Sequence, residues 1–131
     1  MENKYDVIII GSGPGGEGAA MTCTKEGKKV AVCEEFSFVG GSNTHKGTIP
    51  SKALRHASQI LYDSNKFEGA TYQELLVQTG TVIKCQVKLR HGFYTRNNVD
   101  LIIGRARFLD KHTVEVTEST GLKKNIKQMH L

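Results

Sequence analysis

The chain has 131 residues, a length that fits one domain of about 100–150 residues or part of a larger one. Its 18 basic and 13 acidic residues give a net charge of +5, but Lys and Arg are scattered, so no nucleic-acid partner is predicted. The sequence starts with polar residues and has no run near the ~20 apolar residues that span a bilayer, so it predicts a soluble cytoplasmic protein without a membrane segment. Its three cysteines are well separated, so neither a disulfide framework nor a metal site is predicted.

The first 35 residues carry the pattern of a nucleotide-binding unit. A short apolar run over Val7–Ile10 leads into the glycine-rich segment GSGPGG at residues 11–16. A helical pattern follows over residues 14–25, and a second apolar run, residues 29–32, leads to Glu34. The order of strand, glycine turn, helix, strand and terminal acid predicts a site for a dinucleotide. The alternative is a glycine turn with a purely structural role.

Each conspicuous residue of this unit has an expected task. Gly11 permits the tight turn, and Gly13 lets the backbone approach a pyrophosphate. Gly16 lets the helix lie close to the strand, so that the free N–H groups at the helix start can bind phosphates. Glu34 follows Gly16 by 18 residues, where a carboxylate accepts hydrogen bonds from an adenosine ribose. The alternative for Glu34 is an exposed acid at a strand end.

Two further helices are predicted in the middle of the chain. Residues 36–48 are a glycine-rich loop without periodicity, and Pro50 suits the first turn of a helix that runs to about Tyr62. After a polar connector, a long helical pattern occupies residues 72–97, although Gly80 weakens it by about 1 kcal/mol relative to Ala.

The last third of the chain is predicted to be β-structure. We expect one strand over residues 99–108 and another over residues 113–117, joined by a turn at residues 110–112. Residues 118–131 are expected to form a weakly ordered or divergent tail, in which Lys123, Lys124 and Lys127 form a solvated face. The fold class is therefore α/β: a Rossmann-like domain with a long helical pair and a small β-meander. It is incomplete, because only two clear parallel strands are recognised.

The segment VGGSNTHKGTIPSKAL, residues 39–54, resembles the region after the first βαβ unit of the FAD-dependent pyridine nucleotide–disulfide oxidoreductases. Members of that family typically carry GGxCxxxxCxPSK there, and their two cysteines form a redox-active disulfide beside the flavin. This chain has Asn43 and Thr48 at the two cysteine positions. A thiol–disulfide reductase is therefore disfavoured, because no thiolate is present to attack a disulfide.

Within that family, the chain is most similar to the transhydrogenase branch, whose members pass hydride between NADPH and NAD⁺ through FAD. The similarity covers residues 5–117 and includes GSGPGGEGAA, GTIPSKALRH, GFY with RN, and GRARF. The resemblance implies FAD as cofactor, NADPH and NAD⁺ as substrates, and an enzyme of the Si-specific NAD(P)⁺ transhydrogenase type. Asn43 departs from this branch as well, since its members keep a cysteine at that place.

The resemblance also implies roles for individual positions, none of them catalytic. Lys52 would lie beside the isoalloxazine, where its charge favours the reduced, anionic flavin; the alternative is a solvated lysine. Thr48 and Asn43 would lie near the flavin, or would be simple polar groups of a loop. Ala106 would offer its backbone to the adenine. The full set of implied FAD-binding residues is Gly11, Gly13, Gly16, Glu34, Gly40, Gly41, Ser42, Asn43, Thr48, Lys52 and Ala106.

Family members are several hundred residues long and have a nicotinamide-binding domain and a domain through which they oligomerise. No GxGxxG pattern occurs outside residues 11–18. We therefore expect residues 1–117 to be the N-terminal part of a FAD-binding domain, in a fragment that retains little flavin and has no turnover. The two hypotheses are a truncated hydride-transfer enzyme and a non-catalytic or vestigial FAD/ADP-binding module.

Overall fold

A computed structural model describes residues 4–66 and 69–129 of the chain. Strands and helices alternate at first, and the last part of the described chain is all β. The elements are β1 (Lys4–Tyr5), β2 (Val7–Ile10), α1 (Pro14–Lys25), β3 (Val30–Glu34), α2 (Gly41–His45), α3 (Thr48–Asp63), α4 (Tyr72–Arg96), β4 (Asp100–Ile103), β5 (Arg105–Phe108), β6 (Thr113–Thr117) and β7 (Lys123–Gln128).

A three-stranded parallel sheet in the order β2-β3-β4 lies at the centre of the fold. Strand β3 is buried along its whole length because it pairs with β2 on one side and β4 on the other. The expectation of only two parallel strands is wrong. The run at residues 99–108 was expected to be one strand, but Gly104 divides it into β4, which joins the parallel sheet, and β5, which leaves it.

The second sheet has the order β1-β7-β6-β5. Its strands β5, β6 and β7 form the expected meander of antiparallel neighbours, and β1 adds to β7 in parallel. The expected weak order of residues 118–131 is wrong for residues 123–128, which form β7. Ile126 is fully buried there, in a cluster with Val114 and Val116, and this packing fixes the strand. His130 and Leu131 lie outside the described residues.

The helices lie where the sequence predicts them, with one addition. Helix α1 has the expected bounds, α3 starts two residues before Pro50 and ends one residue after Tyr62, and α4 ends at Arg96 rather than Asn97. Thr71 and Glu74 form a reciprocal capping box at the start of α4. The short helix α2 was expected to be part of a loop. In the part of the chain that the structure describes, no helix is both long and apolar enough to cross a membrane.

The core has two parts, one on each face of the parallel sheet. Cys33 and Ile102 face the meander. Val30, Val32, Ala20 and Tyr94 form the other cluster, where α1 and α4 cover the sheet. The two helices thus hold the glycine turn before α1 at the carboxyl edge of the parallel strands, the edge at which open α/β sheets bind ligands.

Candidate nucleotide-binding site

Three loops meet where the parallel strands end. The amide of Gly11, after β2, donates a hydrogen bond of 2.7 Å to the carbonyl of Cys33 at the end of β3. The amide of Gly104, after β4, donates one of 2.7 Å to the carbonyl of Glu34. The loop after β3 returns to the first turn at Gly41, where an added Cβ would lie 2.8 Å from the Cα of Gly13. The glycine turns therefore form one continuous surface at this edge. We call this surface the glycine wall; it consists of Gly11, Gly13, Gly41 and Gly104.

The fold itself requires glycine at two positions of the first turn. Gly11 has a φ of +99°, which L side chains rarely adopt. A Cβ on Gly16 would overlap the carbonyl oxygen of Gly11 and would lie 3.3 Å from Cγ2 of Ile9. The expected geometry of these two residues, a tight turn and a close approach of helix and strand, is confirmed.

Gly13 is different, because nothing in the fold requires it. Its φ of −69° and ψ of 179° suit any residue. A Cβ at this position would meet no atom closer than the Cα of Gly41 at 4.0 Å. An added Cβ would therefore make only an ordinary van der Waals contact with Gly41. The shape therefore fits a ligand whose atoms approach the backbone closely, as a diphosphate does at a helix start.

Glu34 is buried, with 5% of its surface exposed, and its carboxylate joins two loops. Oε2 accepts hydrogen bonds from the amide of Ser12 at 2.9 Å and from the Ser12 hydroxyl at 2.5 Å. Oε1 accepts one from the amide of Phe36 at 3.1 Å. The alternative of an exposed acid at a strand end is therefore wrong.

The Glu34 carboxylate is held in its charged form. Burial acts to raise its pKa, but the bonds from the Ser12 hydroxyl and from the amides of Phe36, Ser12 and Glu35 outweigh it, so the pKa lies below its ordinary value. Of the hydrogen bonds from Ser12 and Phe36, two reach Oε2 and one reaches Oε1. Oε1 is therefore the oxygen that a further donor such as a ribose hydroxyl would approach.

The structure spreads the remaining predicted residues over two regions. Gly40 and Gly41 begin the short helix α2 beside the first turn, with Ser42 exposed and Asn43 half-buried on that helix. Ala106 is half-buried in β5, the outermost strand of its sheet, and packs against the cluster that contains Cys33.

Thr48 and Lys52 are exposed on α3. Lys52 borders a groove of about 470 Å³ between α3 and α4. The assignment of these two residues to a flavin ring stays a prediction.

Ser12 belongs to the candidate site, although its sequence position did not predict this. It is completely buried, and its hydroxyl also accepts a hydrogen bond of 3.0 Å from the amide of Gly40. Ser12 thereby connects the turn after β2, the acid at the end of β3 and the loop before α2. The one signal in the sequence was a small hydroxyl residue between two turn glycines, where the pattern GxGxxG leaves the residue type open.

No group suited to metal binding is found among the residues that the structure describes: His, Cys, Asp and Glu nowhere gather in threes. The three cysteines are free, with Cys33 buried, Cys23 half-buried and Cys85 exposed. Cys33 is a buried structural thiol, since it packs in the core between the two sheets.

Comparisons with known proteins agree with this geometry. Residues 6–128 match the family model of FAD-dependent oxidoreductases. A soluble pyridine nucleotide transhydrogenase from Vibrio vulnificus is 52% identical over 128 residues, which are 91% of this chain and 28% of that protein. One from Serratia proteamaculans is 47% identical over 136 residues, covering 98% of this chain and 29% of that protein. The chain thus spans less than a third of these relatives.

Solved structures show the same fold. A Cu(II) complex of the HOCl-induced flavoprotein disulfide reductase RclA from Escherichia coli superimposes with a TM-score of 0.82 at 27% identity, over 96% of this chain and 27% of that one. A second RclA structure gives a TM-score of 0.76 at 24% identity.

Proposed function

Because the chain belongs to the family of FAD-dependent oxidoreductases, we propose that its glycine wall binds the ADP half of FAD. The observation that carries this proposal is the pairing of Gly13 with Glu34. Gly13 leaves space that the fold does not need, and Ser12 holds a charged, buried carboxylate next to it. Space for a diphosphate beside an acceptor for a ribose is the arrangement that a dinucleotide site requires.

Each part of the site has a distinct proposed task. The first backbone N–H groups of α1 bind the diphosphate. Pro14 has no N–H, so these groups belong to Gly15 and Gly16, which have no side chains that would block the ligand. Glu34 accepts a hydrogen bond from the ribose through Oε1. Gly40, Gly41, Ser42 and Asn43 line the path beyond the diphosphate, Ala106 offers its backbone to the adenine, and Lys52 and Thr48 lie on the flavin side.

Bound flavin supplies the reversible acceptance and release of a hydride. The relatives' name, soluble pyridine nucleotide transhydrogenase, supports hydride exchange between pyridine nucleotides as the reaction of a whole protein of this kind. We further propose that the nucleotides are NADPH and NAD⁺, that the enzyme is of the Si-specific type, and that it acts in the cytoplasm. We propose residues 1–117 as the N-terminal part of its FAD-binding domain, to which β7 adds one strand. Asn43 and Thr48 support a reaction without a dithiol step.

Hydride exchange also needs a place for the nicotinamide substrates. In the 131 residues the GxGxxG pattern occurs only within the stretch 11–18, which the FAD proposal already uses. This supports the second candidate, in which the chain alone binds ADP or FAD weakly and performs no turnover. NADPH oxidation in the presence of an NAD⁺ analogue and FAD, followed by absorbance, tests this directly. Sustained oxidation by the purified chain would contradict it.

Calorimetric titration of the purified chain with ADP and FAD tests the binding proposal. We expect G13A to keep the fold, since its backbone angles suit alanine, and to weaken ADP binding by roughly tenfold or more, because the new methyl group occupies the diphosphate's place. G18A is the matched control, since Gly18 lies on the same helix in open space. Equal ADP affinity of wild type, G13A and G18A would overturn the proposal.

A further inference from the structure

An acidic residue lies in the first turn of α1, where the diphosphate is proposed to bind. This residue is Glu17, which directly follows Gly16. A carboxylate at a helix start is attracted by the same partial positive charge that attracts a phosphate. It also repels a phosphate by its own charge, so an uncompensated Glu17 would oppose diphosphate binding.

Arg90, on α4, compensates this charge. Its Nε lies 3.0 Å from Oε2 of Glu17, and the two side chains are only 15% and 21% exposed. A second nitrogen of the guanidinium, Nη1, donates a hydrogen bond of 2.7 Å to Oε1 of Gln86. The cation is therefore held in place from its own helix, and partial burial keeps the pair from being fully screened by salt.

Tyr94 lies one turn after Arg90 on α4, and its hydroxyl responds to the charges of the ion pair and of Glu34. Its hydroxyl is buried and has no hydrogen-bond partner among the described residues. Burial raises the pKa of Tyr94 to about 12, with Glu17 and Glu34 adding to the rise and Arg90 opposing it. The ion pair and Glu34 thus both act electrostatically on this hydroxyl.

We infer that Arg90 is a positioning residue for diphosphate binding: by neutralising Glu17 it keeps the start of α1 attractive to a doubly charged anion. This inference rests on the proposed function, because it concerns the same glycine wall. Arg90 need not touch the ligand. Its effect is transmitted through the charge of Glu17, so it must grow with the charge of the ligand.

The experiment compares three ligands that share the adenosine part: ADP, AMP and adenosine. In R90M the charge of Glu17 is uncompensated, and we expect ADP to bind roughly tenfold more weakly, AMP to lose less, and adenosine to be unchanged. R90K keeps the cation and should retain most of the ADP affinity. The double variant E17Q/R90M has neither charge and should recover the affinity that R90M loses.

A purely structural role of Arg90 would weaken the three ligands equally and would leave E17Q/R90M as weak as R90M; either result overturns the inference. If R90M does not fold, E17Q alone still decides the matter. Its unpaired Arg90 should raise the affinity for ADP several-fold over wild type, and an unchanged or lower affinity overturns the inference. Failure of wild type to bind ADP at all contradicts the proposed function instead.

Discussion

The hydroxyl of Ser12 donates a hydrogen bond to Oε2 of Glu34 across 22 positions of the chain. The amide of Ser12 binds the same oxygen, and the amide of Gly40 binds the Ser12 hydroxyl in turn. The acid proposed to recognise the ribose is thus also a structural connection between the first turn and the loop after β3. Substitutions at this junction should affect both stability and nucleotide affinity.

S12A is expected to destabilise the fold. It leaves the buried amide of Gly40 without its acceptor and removes one donor from Glu34, which costs about 1–3 kcal/mol. The free energy of unfolding from urea titration measures this cost. T22A is the control, because the Thr22 hydroxyl binds a helix carbonyl at an exposed position and its loss should cost no more than about 0.5 kcal/mol. Equal values for the two variants would show that the junction contributes nothing.

Stability should fall with acidification partly because of Glu34. Its pKa in the folded chain lies below the unfolded value of about 4.3, so its ionised form favours the folded state. The contribution is complete above the unfolded pKa and is lost as the pH falls through the folded one. We expect the free energy of unfolding, measured from pH 7 downwards, to decline less steeply in E34Q than in wild type.

Two other carboxylates also make the free energy of unfolding fall as the pH is lowered. The effect of Glu34 can therefore be seen only by comparing wild type with E34Q. The hydrogen bond from Arg107 lowers the pKa of Glu115, and the one from the amide of His112 lowers the pKa of Asp110. Both residues are retained in E34Q, so the difference between the two curves isolates Glu34. Parallel curves below pH 5 would contradict its assigned role.

G16A should be among the most damaging single substitutions in the chain. The new methyl group would overlap the carbonyl of Gly11, so α1 must move away from β2, at a cost of about 1–3 kcal/mol or more. G15A is the matched control, since a Cβ there meets nothing within 4 Å and alanine favours a helix over glycine by up to about 1 kcal/mol. Urea unfolding should therefore show opposite shifts for the two neighbours.

Y94F should be neutral or stabilising. The Tyr94 ring is buried among Ala20, Val30 and Val39, but the hydroxyl has no partner among the described residues, so phenylalanine keeps the packing and removes a buried polar atom. Y94A, by contrast, should lose about 3–5 kcal/mol through the cavity it leaves. A thermal midpoint of Y94F well below that of wild type would mean that the hydroxyl has a partner after all.

The helices and the first turn could be predicted because their signals are local. Pro14 at the first helical position and Gly27 just beyond the end bracket α1, and the structure follows both. The division at Gly104 could not be predicted, because strand-like residues continue on both sides of it. Only the folded chain shows that a Cβ there would lie 2.6 Å from Cγ1 of Val116, on a neighbouring strand.

Strand β7 was missed for a related reason. Its sequence KKNIKQ has one apolar residue, so neither propensity nor periodicity indicates a strand. The strand exists because Ile126 enters the core and because β1 and β6 flank it.

The residues of the candidate site also fall into two groups. Three glycines and Glu34 could be predicted from their spacing in the sequence. Ser12 and Arg90 could not, because their proposed roles depend on contacts between distant segments.

The order β2-β3-β4 leaves both edges of the parallel sheet, at β2 and at β4, without a neighbouring strand among the described residues. The backbone groups on the outer side of Val7–Ile10 have no neighbouring strand there, and the side chain of Ile10 is 49% exposed. An uncovered apolar border is a template onto which another β-segment can add. We therefore expect this chain to self-associate along β2 in concentrated solution. A bound nucleotide would not cover this edge, so it should reduce self-association only by stabilising the adjoining turn.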